Sequence, residues 1–204
     1  MSDLILRGQS QQQAAPGTKT VRVGDDGSLV LTERYTELAA RGKVFHFSVA
    51  AVTLPVNASN LVSLFGVYNP PSSGVMMELI EAEAHYVVAT TVVNALGLYA
   101  LDNQSGATFT TLGTIRSSRL SEGVASADRA YSSVTYSGTP LLADIIGGWG
   151  AVTDSGSSPV RKEWDGKIMV PPGVLISMAM TTAAATASGF TGLLRWAETP
   201  YVPQ

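Results

Sequence analysis

From Val44 to the end, the chain is cut into short β-rich runs by turns built on Gly and Pro, and this punctuation limits the possible folds more than any other feature. The turns read "NPPSSG", "DNQSG", "TDSGSSP", "VPPG" and "ATASG". Proline lacks the N–H that a strand ladder needs, and glycine reaches backbone conformations that end a ladder. Ahead of them, Phe45, Phe47, Val49 and Ala51 alternate with His46, Ser48, Ala50 and Val52, a period of two that turns the aromatic face inward and His46 outward. Further runs are expected at Val62 to Tyr68, Met76 to Val93, Gly97 to Leu101, Thr108 to Ile115, Tyr131 to Tyr136, Lys167 to Val170, Val174 to Met180 and Gly189 to Ala197. Many short strands with such spacing predict an all-β, antiparallel sandwich or barrel.

One run is ambiguous. "MMELIEAEAH" consists of good helix formers, yet its apolar stripe is broken by Glu83, and "YVVATTVV" directly after it is β-branched. A strand is therefore expected, entered through the "NPPSSG" corner, where Pro70 and Pro71 end one strand and Gly74 lets the chain return. Glu81, Glu83 and His85 then share one strand face, at i, i+2 and i+4. An ordinary solvated or interfacial strand face is the expectation there; around a threefold axis the same residues would form a cation-binding ring.

Residues 1–43 read as an extended N-terminal arm and connecting segment, and residues 44–204 as the β-sandwich. The arm is Gln-rich and aperiodic, with a turn expected at Gly24 to Gly27 and a helical turn at Thr36 to Ala40 ended by Gly42. Its apolar footholds, Leu4, Ile5 and Leu6 and then Val21 and Val23, are the expected partner-binding residues. With only Arg7, Lys19 and Arg22 as cations in residues 1–23, the arm is expected to lie on protein and not on nucleic acid.

Only 14% of the 204 residues are charged, with a net charge of −3, against roughly 25% in an ordinary soluble domain. A surface so poor in charge predicts burial in an assembly. The chain has no cysteine, so disulfides and thiolate metal sites are excluded. No apolar run has the length of a signal-peptide core or of the roughly 18 residues a membrane span needs, so a soluble, unprocessed chain without membrane contact is expected.

Enzyme signatures are missing. His46 and His85 lack the clustered histidines of a cupin metal site, no H-E-x-x-H or G-x-S-x-G occurs, and "GGWG" is not followed by the Lys-Ser/Thr of a phosphate loop. No catalytic, cofactor or metal-binding residue is assigned. Asp128-Arg129 and Arg161 to Lys167 read as loop ion pairs, and Trp164 as an aromatic that anchors a loop or fills an interface; in a carbohydrate-binding protein Trp149 and Trp164 would instead be sugar platforms in loops.

The "YNPPSSGV" corner resembles the "NP-x-x-S-G" corner of single jelly-roll proteins from tailed-bacteriophage virions. "PPGVLISMAM" and "SGFTGLLRWAETP" resemble the last two strands of the same class. The matches cover residues 64–90 and 167–200. The resemblance implies a jelly-roll sandwich and a non-enzymatic, homotrimeric head decoration (cement) protein that binds the major capsid protein, made in the host cytoplasm and placed on the capsid surface. A host-recognition or carbohydrate-binding domain of a tail fibre or spike is the second expectation, and an enzyme on a β-helix or cupin-like frame the third.

Overall fold

A computed structural model describes residues 20–23, 29–32, 34–54, 62–88, 94–109, 112–119, 125–149, 159–181 and 188–202. The strands among them are β1 (Thr20–Val23), β2 (Leu29–Thr32), β3 (Val44–Leu54), β4 (Val62–Tyr68), β5 (Val75–Val88), β6 (Asn94–Asp102), β7 (Ala107–Phe109) and β8 (Leu112–Gly113). They continue as β9 (Arg116–Ser117), β10 (Arg129–Tyr131), β11 (Val134–Tyr136), β12 (Leu141–Trp149), β13 (Val160–Val170), β14 (Val174–Met180) and β15 (Ser188–Pro200), with one short helix, α1 (Arg34–Ala40).

The eight long strands pair by nesting: β3 with β15, β4 with β14, β5 with β13 and β6 with β12, all antiparallel. This is a long hairpin rolled upon itself, the jelly roll. Rolling distributes the strands over two packed sheets, one ordered β13-β5-β15-β3-β9 and the other β12-β6-β14-β4-β10-β8. The core lies between them, where Phe47 of one sheet meets Phe65 of the other edge-on, ring centres 5.4 Å apart. Phe45, Phe47 and Val49 point inward and His46 and Ser48 outward, as their alternation predicts.

β5 is a strand throughout, so packing has overridden the helix propensity of "MMELIEAEAH". Other expectations need correction. Two of the anticipated runs are each split into a pair of short strands, β7 with β8 and β10 with β11. β12, "LLADIIGGW", was not anticipated, because two glycines and an aspartate obscure its alternation; it pairs with β6 through two bulges. Residues 161–167 are not a loop. They belong to β13, whose register with β5 breaks between Glu163 and Ile168. At that break Asp165 and Gly166 have φ of 49° and 76°, and a Cβ on Gly166 would lie 1.8 Å from the Tyr35 hydroxyl.

The N-terminal segment contributes two strands and a helix among its described residues. β1 and β2 form a separate two-stranded sheet, Val21 opposite Leu31 and Val23 opposite Leu29. The turn expected at Gly24 to Gly27, between these two strands, lies outside the described residues. Helix α1 ends as anticipated at Gly42, where Lys43 N–H donates to the Leu38 carbonyl and Gly42 N–H to the Ala39 carbonyl, a Schellman closure.

The two motifs that carry the resemblance meet in space. Asn69 N–H donates to the Val174 carbonyl at 3.0 Å, and Gly173 N–H donates to the Asn69 carbonyl at 2.7 Å. The fully buried Asn69 side chain donates to the Val75 and Val170 carbonyls, at 2.9 and 3.0 Å, and accepts from Ser73 Oγ. Among the described residues no helix is long and apolar enough to cross a membrane.

Candidate functional site: the charged face of the five-stranded sheet

Strand alternation sets this face. Ala82 and Ala84 of β5 are buried in the core, so Glu81, Glu83 and His85 project outward together. Register then extends the line: Glu81 lies opposite Glu163 of β13 and Arg195 of β15, Arg195 opposite His46 of β3, and His46 opposite Arg116 of β9. One transverse row, Glu163, Glu81, Arg195, His46, Arg116, therefore crosses all five strands.

Glu81 is the hub of that row. Its Oε1 receives Arg195 Nη1 at 2.6 Å and its Oε2 receives Arg161 Nη2 at 2.5 Å, while Arg161 also reaches Glu163 at 2.6 Å. The Glu81 side chain is only 6% exposed although both arginines are about half in water, at 53% and 41%. The solvated part of the expectation thus does not hold for Glu81, whose buried carboxylate accepts from an arginine on each oxygen. It holds for His85, which is exposed and pairs with Glu83 at 2.7 Å. Partial burial, with Arg195 and Arg116 on either side, holds the His46 imidazole below its ordinary pKa.

An acidic pair, Asp128 and Glu198, lies near the C-terminal end of β15. Glu198 accepts from Ala127 N–H at 3.0 Å and from Ser126 Oγ, and buried Asp128 lies beside Glu198 and the Trp196 indole. Burial, reinforced by the neighbouring Glu198 charge, pushes the Asp128 carboxyl up to about 8. Asp128 is therefore not the loop ion pair with Arg129 that adjacency suggested; Arg129 is exposed.

Trp164 is 3% exposed and donates its indole N–H to Asp144 Oδ2 at 2.7 Å, a bond that holds Asp144 below the usual carboxylate range. It is an anchor, as expected, but on the strand β13 and not in a loop. The Trp149 side chain and residues Leu4, Ile5 and Leu6 lie outside the described residues, and Val21 and Val23 are placed in β1. His46 and His85 stand on strands separated by β15. Among the described residues no group of three or more His, Asp or Glu is placed to hold a metal ion.

Sequence reading missed Arg195 and Arg161 as partners of Glu81, and Glu198 as the partner of Asp128. Arg195 was visible as the one charge among Thr191, Leu193 and Arg195 on the outward face of β15, but its partner depends on register. Searches against protein-family models, curated proteins and solved structures find no match to the chain.

Proposed function

We propose that the chain is a non-enzymatic virion structural protein, a homotrimeric decoration protein that stabilises a viral head shell by binding the major capsid protein. The observation that carries this reading is where the exposed apolar side chains lie. Among the described residues, six large hydrophobics are exposed: Leu112 on β8, Leu141, Leu142 and Ile145 on β12 and Met169 on β13, all open edges of the two sheets, and Val202 elsewhere. Uncovered apolar edge strands invite association, and a chain this poor in charge has few other means of discouraging it. The linked "NPPSSG" and "VPPG" corners are accounted for as architecture, with the Asn69 side chain engaged by backbone.

The tail-fibre or spike reading loses one of its two proposed sugar platforms, since Trp164 is in the core. Two measurements test the proposal. Sedimentation equilibrium at micromolar concentration is expected to give three times the 21.3 kDa chain mass, and proteomic quantitation of purified particles is expected to find the chain at fixed stoichiometry to the major capsid protein. A purely monomeric species, or absence from particles, overturns it.

A further inference from the structure

Residues 112–119 form a strap that crosses from the last strand of one sheet to the last strand of the other. Its β8 end pairs with β10 in the larger sheet and its β9 end pairs with β3 in the smaller one. Between them the strap closes one flank of the core: Gly113 rests on the Phe47 ring, where a Cβ would come within 2.2 Å of a ring carbon, and Ile115 packs against the core cluster. The β9 end is fastened by a two-residue pairing, Ser117 opposite Phe45 and Arg116 opposite His46. Ser118 N–H donates to the Val44 carbonyl at 2.8 Å, and Arg119 Nη1 donates to the Ala40 carbonyl at 2.8 Å.

His46 sits at this fastening, between Arg195 of β15 and Arg116 of β9, its direct neighbours in register. The charges that act on its ring are those two guanidiniums, which together with partial burial hold its pKa below the ordinary 6.5. Glu81 of β5, the next group in the row, is engaged by Arg195 and Arg161, and Arg119 of the strap reaches the Ala40 carbonyl at the end of α1. The His46 Nδ1 is buried and has no hydrogen-bond partner among the described residues, so an imidazolium, which carries a proton on both nitrogens, would hold a buried donor without an acceptor. We propose that the strap is an acid-operated closure: protonation of His46 sets three cations side by side across β15, β3 and β9, lifts β9 from β3 and uncovers the Phe47 flank of the core. The closed strap keeps its full stability above the ordinary imidazole value and loses it as pH falls through the depressed one.

Hydrogen exchange at the Ser118 amide, corrected for the intrinsic effect of pH on exchange, reads the closure in the full chain. Between pH 7.5 and pH 5 its protection is expected to fall about fivefold, the scale of like-charge repulsion between neighbouring strands, while the amides of β4 and β14 keep theirs. His46→Gln keeps a neutral side chain at every pH and should abolish the fall. Arg116→Gln, at an exposed position where folding is not at risk, should reduce it. A fall that persists at full size in either variant shows general loosening and overturns the proposal. So does a wild type with no fall, or a His46 ring whose NMR titration lies at or above 6.5.

Discussion

Glu81 and Glu83 are two residues apart on one strand face and have opposite energetic standing. Removing the charge of Glu81 leaves Arg161 and Arg195 facing a neutral amide at a buried point, so Glu81→Gln is expected to destabilise the fold by about 1–3 kcal/mol, reduced from a fully buried pair because both arginines are half exposed. Glu83→Gln, at a partly exposed position beside His85, should cost about 0–1 kcal/mol. Urea denaturation of the two variants separates them, and equal effects would refute the hub role of Glu81. Asp128 gives the pH dependence. Its folded pKa, about 8, stands above the ordinary carboxylate value of about 3.9, so the folded chain holds a proton that the unfolded chain gives up. The stability linked to that proton is complete below the unfolded value and is lost as pH rises through the folded one. The wild-type melting temperature should therefore fall between pH 5 and 9, and Asp128→Asn should flatten that fall. Parallel curves for the two proteins would show that Asp128 is already ionised in the fold.

Among elements, the "NPPSSG" corner and the "VPPG" turn act as a single clasp. Asn69 bonds the start of β5 and the end of β13 through its side chain and the start of β14 through its backbone, so one residue ties three strands. Asn69→Ala strips the side-chain bonds from two carbonyls in a buried site and is expected to cost about 2–4 kcal/mol. Asn69→Asp should be at least as damaging, because a carboxylate cannot donate to either carbonyl. Calorimetric melting of both variants checks this ordering, and a mild Asp variant would contradict it. The bulge in β13 depends on Gly166 in the same way that the clasp depends on Asn69, since a side chain there meets Tyr35 of α1.

For the whole molecule, the nested pairing of eight strands leaves β1 and β2 outside the two large sheets. β1 pairs only with β2 among the described strands, and neither joins the two large sheets. Deletion of residues 1–23 is accordingly expected to leave the melting temperature of the sandwich within a few degrees of wild type while lowering particle occupancy, since Leu4, Ile5, Leu6, Val21 and Val23 go with it. Thermal melting and particle stoichiometry report the two effects separately. Unchanged occupancy would remove the anchoring role, and loss of folding would make β1 and β2 part of the domain.

By itself the sequence determined the fold class, the inward face of β3, the limits of β4, the strand state of β5 and the stop at Gly42. These depend on alternation, β-branching and turn residues, which act over a few positions. Tertiary structure alone decided that Glu81 is a buried hub, that Asp128 meets Glu198 across 70 residues, that Trp164 is core and that "LLADIIGGW" is an edge strand. Each of those depends on which strand lies beside which, and in what register. Rolling a hairpin brings together residues far apart in the chain, and a register shift of one residue would exchange every inward and outward side chain, so such partnerships have no local pattern to announce them.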